Sequence, residues 1–434
     1  LESMERDLRK QFDLPNYVDR ELVDESILDE VASKMQDNYP YHHPLYAGQM
    51  IKPPHPVARK AYALAMQLNP NNHALDGGRA SSELEKQAVA EIAQMVGFEN
   101  HLGHLTGGGT MANLEALWIA SKLHPGKKIV ASEQAHYTHI RITEVLKIPY
   151  SSISVDLFGR MNLENLERHL ISGDVGTVVV TLGTTSCGAI DPLEAIIRLC
   201  KKYSARIHID SAYGGYFKLS GKLNAFERRQ FDLTENADSL VIDPHKHGMQ
   251  PYGCGCIVFK NPEVGRFYKH DSPYTYFSSN DLHLGEISLE CSRPGAAAVA
   301  LWATQKQFPL KANGAFAENL DNCLQAAKEL YMMLRMSDKF ITFFPPSLDI
   351  VIWAPKGESF SSISESSQIL FDACADQDVH LALYKYPSEM LSEHLNRIEK
   401  DQDHVVCLRS CLMKPEHKYW VKFIFSVMDE LLGS

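Results

Sequence analysis

The sequence lacks long apolar runs and has no excess of positive charge. None of its stretches approaches the ~20 consecutive apolar residues of a membrane-spanning helix. Its 434 residues include 43 lysines and arginines against 54 aspartates and glutamates, a formal net charge of −11. A protein with a negative net charge is poorly suited to bind nucleic acid or an anionic membrane. We therefore expect neither a nucleic-acid partner nor a membrane association.

Regular cysteine pairs and metal-ligand spacings are lacking as well. The nine cysteines are odd in number and scattered, which is typical of a reducing cytosol. Cys254 and Cys256 lie in an apolar setting, and His101 and His104 have no cysteine or carboxylate at ligand spacing. We predict no metal site and place both histidines on the surface. The first residues do not read as a secretory signal, so we expect a cytoplasmic protein.

The composition is that of an ordinary globular protein, with 44% hydrophobic and 22% charged residues. A chain of this length usually forms more than one core. We predict an N-terminal helical segment over residues 4–70, a large domain over 71–310 and a small C-terminal α/β domain over 311–434. The first segment contains an amphipathic pattern near residues 21–36, which we expect to contact a second copy of the chain.

Short β-branched runs alternate with helical patterns through the predicted large domain. The expected strands cover residues 128–131, 152–155, 177–180, 206–209, 240–242 and 257–259. Ser81 or Ser82 is expected to begin one helix, and Asp191 to cap another over residues 192–203. Such alternation predicts a mainly parallel sheet with helices on both faces.

Polar residues follow the ends of these strands. They are His136, Thr184, Thr185, Asp210 and Lys246. Because ligands of open α/β sheets bind beyond the carboxyl ends of the strands, we expect these side chains to meet. A lysine in a buried turn is costly unless it is paired or deprotonated, and desolvation lowers its pKa so that a neutral amine can bond to a carbonyl. The alternative is a solvated lysine on a surface turn.

A glycine turn, Gly107-Gly108-Gly109-Thr110, opens the helical pattern of residues 111–123. Backbone N–H groups at a helix N-terminus favour a phosphate. A dinucleotide site is the alternative, but the G-x-G-x-x-G spacing is absent. Together with an acid and a lysine at strand ends, the turn indicates a pyridoxal phosphate site, which needs N–H donors, a carboxylate for the pyridine nitrogen and an amine for the aldehyde.

Six stretches, in order, carry a resemblance to a known family. They are TGGGTMANL (106–114), AHY (135–137), GTT with GAID (183–191), HIDSAYGG (208–215), DPHK (243–246) and SR (292–293). Over most of residues 40–430 the chain resembles the group II amino-acid decarboxylases, which are fold-type I pyridoxal-phosphate enzymes. The resemblance implies a large domain with a seven-stranded, mainly parallel sheet, a small C-terminal α/β domain, a homodimer and pyridoxal 5'-phosphate as cofactor.

The resemblance also implies catalytic roles. Lys246 would form the Schiff base with the cofactor, Asp210 would pair with the pyridine nitrogen, and His136 would stack on the ring. A mobile loop of the family carries a tyrosine that looks like a proton donor, and here Tyr274 fits that place best, with Tyr276 as the alternative.

The remaining cofactor contacts that the resemblance implies are Gly108, Gly109, Thr110, Thr185, Ser211 and His245. The glycines and Thr110 would bind the phosphate, with His245 assisting, and Thr185 would lie near the ring hydroxyl. Ser211 stands where the family often has alanine, under the ring, and a serine there would add a hydrogen bond.

The substrate is less well defined by the sequence. The aromatic-rich stretch at residues 39–46, which includes Tyr46, favours an aromatic amino acid, whereas Arg409 and His247 leave an acidic one open. Arg409 is equally well read as a structural arginine. We expect decarboxylation of an L-amino acid. The alternatives are a carbon–carbon lyase or an aminotransferase on the same cofactor, and a decarboxylase-like partner protein without turnover.

Overall fold

The computed structural model describes residues 4, 8, 23–269, 287–387, 390, 395 and 397–433. Its larger sheet has seven strands in the order β1-β7-β6-β5-β4-β2-β3. They are β1 (Leu102–Thr106), β2 (Lys128–Ser132), β3 (Tyr150–Ile153), β4 (Val175–Thr181), β5 (Arg206–Asp210), β6 (Ser239–Ile242) and β7 (Gly255–Phe259). β7 is antiparallel to β1 and β6, and the other pairs are parallel. The predicted fold class is confirmed.

Twelve helices are defined within the described residues. They are α1 (Glu25–Met35), α2 (Pro56–Met66), α3 (Arg79–Val96), α4 (Gly109–Leu123), α5 (Thr138–Val145), α6 (Leu163–Ile171), α7 (Leu193–Tyr203), α8 (Ala225–Asp232), α9 (Gly295–Gln307), α10 (Ala315–Met336), α11 (Phe360–Ala375) and α12 (His417–Leu431). Every residue of β4 is buried, and its alternate side chains enter different apolar clusters, Val178 and Val180 in one and Val179 in another. Helices therefore cover both faces of the sheet.

A second sheet has four antiparallel strands in the order β10-β11-β9-β8. They are β8 (Phe340–Thr342), β9 (Ile350–Pro355), β10 (Ala382–Pro387) and β11 (His404–Cys411). The sequence did not indicate the two edge strands, β8 because it is short and β10 because it is only partly apolar. The two sheets lie within the predicted ranges 71–310 and 311–434, whose bounds stay a prediction.

Two helix starts differ from the prediction. α3 begins at Arg79, and the Ser81 hydroxyl donates to Asn72 Oδ1 at 2.5 Å instead of capping the helix. Asp191 does not cap α7 either. Its carboxylate accepts the backbone N–H groups of Thr181 and Met161 at 2.8 and 2.7 Å. Both polar side chains form tertiary hydrogen bonds, which a local sequence pattern does not show.

The surface placement of His104 is wrong. His104 is 1% exposed, and its Nε2 lies 2.9 Å from Oε2 of the equally buried Glu115 on α4. His101 is partly buried. His104 on β1 and Glu115 on α4 are 11 positions apart in the sequence, and the packing of β1 beside α4 brings them together.

Among the described residues, no helix is long and apolar enough to cross a membrane. A search of the same residues finds no group of three or more histidine, cysteine, aspartate or glutamate side chains that would hold a metal ion.

A buried ion pair connects α3 to the segment before α9. Arg293 Nη1 lies 2.6 Å from Glu85 Oε1, with the side chains 5% and 2% exposed. The guanidinium also donates to the backbone oxygens of Leu105 and Asn72. Glu85 accepts the Leu105 N–H at 2.9 Å and the Asn72 amide at 2.6 Å. The pair thus holds the strand that leads into the glycine turn.

Glu85→Gln should lower the free energy of unfolding by roughly 3–5 kcal/mol, because it leaves a buried guanidinium without its counter-charge. Urea titration of both proteins measures the loss. Glu83→Gln is the matched control, since Glu83 is exposed on the same helix. Equal urea midpoints for the two variants would contradict the stabilising role of the buried pair.

Candidate active site

A cavity of about 520 Å³ lies at the carboxyl ends of the central strands of the larger sheet. Eight of the residues predicted for the site line it: Gly108, Gly109, Thr110, His136, Thr185, Asp210, His245 and Lys246. They come from five separate parts of the chain. The structure brings these positions together at one cavity, whereas Thr184, which was expected to meet them, is buried and does not line it.

Asp210 ends β5 and is 5% exposed. Its Oδ2 accepts hydrogen bonds from His139 Nε2 at 2.8 Å and from Asn113 Nδ2 at 3.3 Å, and its Oδ1 accepts the Ala212 N–H at 3.1 Å. Burial alone would raise the pKa of this carboxyl, but His139, the Ala212 N–H and the charge of Lys246 bring the pKa below its ordinary value. Asp210 is therefore a carboxylate, and its Oδ1 retains capacity for another donor.

Lys246 lies in the connection between β6 and β7, with 17% of its side chain exposed. Its Nζ is 3.1 Å from Oδ2 of Asp243, whose Oδ1 has no partner among the described residues. His245 packs its ring on Tyr252 at 4.7 Å, and its Nδ1 likewise has no described partner. Burial lowers the pKa of His245, so the imidazole is neutral.

His136 is half-buried at the start of α5. Its Nδ1 lies 2.8 Å from the Thr138 hydroxyl, and its ring stacks on Tyr137 at 4.4 Å. Burial lowers the pKa of His136, while nearby Asp210 opposes the shift. A neutral imidazole facing the cavity is suited to pack against a planar ring.

The glycine turn approaches the lysine connection closely. A Cβ on Gly109 would lie 2.7 Å from Asp243 Oδ2, so only glycine fits at this approach. The Gly107 N–H already binds an anion, since it donates to both carboxylate oxygens of Glu290 at 2.8 and 3.1 Å. Glu290 also lines the cavity and was not predicted.

Three predicted residues are not part of the cavity wall. Ser211 is fully buried, and its hydroxyl donates to the Val241 oxygen at 2.7 Å, which ties β5 to β6. Tyr46 is buried, and its hydroxyl accepts the Gln49 N–H at 3.3 Å. Arg409 is 7% exposed and donates to Gln49 Oε1 at 3.4 Å and to a neighbouring backbone oxygen. Their predicted ligand contacts stay predictions.

Arg409 has no carboxylate partner within the described residues, where its Nε also lacks a hydrogen bond. If Arg409 is a structural arginine, its role within the described residues therefore depends on hydrogen bonds and not on an ion pair. Tyr274 and its alternative Tyr276 lie outside the described residues, so the proposed loop acid stays a prediction.

A second buried carboxylate reaches the site from the small sheet. Asp349 accepts the Tyr213 hydroxyl at 2.6 Å, and its Oδ2 lies 3.1 Å from His247 Nε2. Burial lowers the pKa of His247, and the same histidine helps keep the pKa of Asp349 low against its own burial. His247 also packs between the rings of Tyr213 and Phe217 at 4.9 and 4.8 Å. The imidazole of His247 thus fills a buried position between two aromatic rings.

The sequence did not predict the hydrogen-bond partners of Asp210, which are Asn113 and His139, or His208 behind Asn113. Asn113 lies within the matched stretch TGGGTMANL and His208 within HIDSAYGG, so both were available as motif residues. His139 had no signal, because it stands three residues after His136 in an ordinary amphipathic helix. Only the packing of α5 against β5 shows its contact.

The donors present fit pyridoxal phosphate. The glycine turn offers N–H groups at a helix N-terminus, Asp210 offers an ionised carboxylate, and Lys246 offers an amine to the same cavity. The unpartnered His245 Nδ1 is a buried polar atom at the side of this cavity, where a phosphate oxygen would accept its hydrogen bond.

Comparison with curated proteins finds decarboxylases. The L-aspartate decarboxylase of Thermococcus kodakarensis is 29% identical over 297 residues, which cover 67% of this chain and 75% of the relative. The L-tyrosine decarboxylase of Enterococcus faecium is 24% identical, and the similarity covers 86% of this chain and 79% of the relative.

Solved structures share the fold over nearly the whole chain. The crystal structure of mouse CSAD has a TM-score of 0.82 at 20% identity and covers 99% of this chain and 92% of that one. Oryza sativa TDC with PLP and tryptamine has a TM-score of 0.81 at 17% identity, covering 99% and 92%. At this level of identity the likeness establishes the fold.

The model of the pyridoxal-dependent decarboxylase conserved domain matches residues 41–354. This match covers most of the chain and includes every one of the eight predicted residues that line the cavity. It confirms the sequence-based prediction of a pyridoxal-phosphate-dependent amino-acid decarboxylase. The chain belongs to the pyridoxal-dependent decarboxylase family.

Proposed function

We propose that the protein removes carbon dioxide from an acidic or aromatic L-amino acid and releases the corresponding amine. The observation that carries this proposal is the convergence of Lys246, Asp210 and His136 on one cavity beside the glycine turn. Pyridoxal phosphate, once bound, supplies an electron-withdrawing ring that accepts the electron pair of the bond broken at Cα.

The residues around the ring would hold it in place. Lys246 Nζ would carry the aldehyde carbon, and Asp210 Oδ1 would accept a hydrogen bond from the protonated pyridine nitrogen. His136 would pack on the ring face, and Thr185 would lie near the ring hydroxyl. Ser211 would support the carboxylate from below by joining β5 to β6, the contact that its hydroxyl makes with the Val241 oxygen.

The phosphate would bind at the glycine turn. Gly108 and Gly109 would donate through the backbone, Thr110 through its hydroxyl, and His245 would assist from the lysine connection. The N-terminus of α4 adds the positive end of the helix dipole. The hydrogen bond from the Gly107 N–H to the Glu290 carboxylate supports this proposal, because its acceptor is an anion.

Two classes of substrate are supported. The relatives are named L-aspartate decarboxylase and L-tyrosine decarboxylase, one acidic and one aromatic. We propose Arg409 for a substrate carboxylate because its buried guanidinium donates to uncharged groups, the Gly48 oxygen and Gln49 Oε1. Tyr46, in its aromatic cluster with Tyr41 at 5.0 Å, is suited to an aromatic group.

The rival functions make different demands on the cavity. A lyase acting on a phosphorylated amine needs basic residues for a second phosphate, yet Lys246 is the single lysine or arginine among the described cavity-lining residues. An inactive partner protein would have no need for an ionised Asp210 and a lysine in the same cavity. An aminotransferase is distinguished from a decarboxylase by its product, an oxo acid formed without carbon dioxide.

We also propose a cytoplasmic homodimer. All nine cysteines carry free thiols, which supports a reducing compartment. None of the residues of α1 is buried, and Ile27, Val31 and Met35 recur at every fourth position with 58%, 50% and 63% of their surface exposed. Such an apolar stripe supports contact with a second copy of the chain.

The reaction is tested by incubating the protein and pyridoxal phosphate with single L-amino acids. We expect carbon dioxide and amine in equal amounts from one of them, and none with Lys246→Ala, because the variant lacks the amine that carries the aldehyde. Borohydride should no longer fix the cofactor to the variant, whereas Lys260→Ala, an exposed lysine after β7, should behave as wild type. An oxo acid formed without carbon dioxide would indicate transamination instead, and a reducible link of full strength in Lys246→Ala would refute the site.

Asp210→Asn should keep part of its cofactor and lose activity by about 100-fold or more, because an amide does not hold a proton on the pyridine nitrogen in the transition state. The measurements are kcat and the cofactor absorbance. Asp232→Asn, exposed at the end of α8, serves as the control. Near-normal turnover of Asp210→Asn would exclude this role.

The dimer is tested by analytical sedimentation at assay concentration. Wild type should sediment as a dimer, and a variant with Ile27→Glu and Val31→Glu should shift towards monomer, because two charges disrupt the apolar stripe of α1. Ser33→Glu, on the same helix, controls for added charge. A fully active wild-type monomer would refute the proposal.

A further inference from the structure

We propose that His139 is a positioning residue that, together with a hydrogen-bond chain through Asn113, His208 and Ser239, holds the Asp210 carboxylate in place and thereby keeps the pyridine nitrogen of the cofactor protonated. The inference rests on the proposed function, because it assigns a role towards the ring that this function requires.

Two donors converge on one oxygen of Asp210. His139 Nε2 lies 2.8 Å from Oδ2, and Asn113 Nδ2 lies 3.3 Å from the same atom. His139 is 0% exposed and Asn113 is 2% exposed, so water does not compete for either bond. Both bonds therefore act at full strength in a medium of low dielectric constant. They leave Oδ1 to the Ala212 N–H and to the cavity.

The direction of each bond follows from the carboxylate. An ionised carboxylate only accepts, so His139 Nε2 and Asn113 Nδ2 must both donate. The Asn113 oxygen then accepts from His208 Nε2 at 2.8 Å, and this nitrogen carries the proton of a neutral ring. His208 Nδ1 in turn accepts the Ser239 hydroxyl at 2.9 Å. All donors of the chain point towards Asp210.

Burial supports these protonation states. It lowers the pKa of His208 to about 3, so the ring is neutral and has a single proton to donate. His139 Nδ1 is buried and has no described partner. A structural histidine in a packed interior usually satisfies both nitrogens. The side chain of His139 instead makes a single hydrogen bond among the described residues, and that bond is directed at the carboxylate.

The consequence concerns proton affinity. Burial of Asp210 favours its neutral form, and the hydrogen bond from His139 opposes this. The other charged or titratable groups near Asp210 are Lys246 and His136, with His208 behind Asn113. Without His139, Asp210 would hold a proton more readily, so the proton shared with the pyridine nitrogen would lie more on the carboxyl group and less on the ring nitrogen. A less protonated ring withdraws fewer electrons.

The test reads the ring nitrogen directly. Wild type and variants are loaded with pyridoxal phosphate labelled with ¹⁵N in the ring, and the nitrogen chemical shift is followed against pH. In His139→Leu we expect the nitrogen chemical shift to move towards that of the unprotonated ring at every pH, because the loss of one hydrogen bond to a charged group favours the proton on Asp210 by about 10- to 100-fold. His139→Gln, whose amide can donate, should recover part of the shift.

Thr143→Val is the matched control. Thr143 is buried one turn further along α5, and its hydroxyl donates to the His139 backbone oxygen at 2.9 Å. The change disturbs the same helix without removing a donor to Asp210, so the ring nitrogen should titrate as in wild type. If His139→Leu does not fold, Asn113→Ala removes the second donor to Oδ2 and should shift the titration in the same direction.

Kinetics give a second readout. A group that acts on the ring should lower kcat about 10- to 100-fold in His139→Leu and change KM little, because its effect is exerted in the transition state. Unchanged ring titration in His139→Leu, or an equal shift in Thr143→Val, would overturn the positioning role and leave the proposed function intact. Failure of wild type to bind pyridoxal phosphate would overturn both.

Discussion

Asp210 is ionised although it is 5% exposed, and a buried charge of this kind is unfavourable unless donors surround it. The donors come from α4, α5 and the turn after β5, so three elements must pack at this strand end before the carboxylate is stable. The cavity is the space that these elements leave above Oδ1. The groups that stabilise the buried charge of Asp210 therefore also leave Oδ1 as the oxygen that is open to the cavity.

The strand order brings the rest of the site to this carboxylate. β6 lies beside β5, and β7 lies between β6 and β1. The connection that carries Lys246 therefore begins next to Asp210, and the glycine turn that follows β1 packs against it, with Gly109 close to Asp243. β7, the single antiparallel strand of the larger sheet, lies between β6 and β1 and so places β1 at the edge of the sheet next to the lysine connection. A fully parallel arrangement would need a crossover helix at that point.

The small sheet also takes part in the site. Asp349, directly before β9, is completely buried against Tyr213 and His247. Tyr213 follows Asp210 by three residues and His247 follows Lys246 by one. A change in the position of the small sheet therefore acts on the two connections that hold the carboxylate and the lysine. The buried hydrogen bond from Tyr213 to Asp349 is costly to leave unmade, so the two sheets are coupled at this point.

The sequence alone determined the class of fold, the family and eight of the residues that line the cavity. It did so because short β-branched runs, glycine turns and strand-end residues such as Asp210 and Lys246 are local signals. Two predicted helix starts and the predicted surface placement of His104 were wrong. The reason is that Ser81, Asp191 and His104 form hydrogen bonds with residues outside their own element. Only the tertiary structure decided which groups hold Asp210, because a hydrogen bond between distant elements depends on packing that no local pattern records.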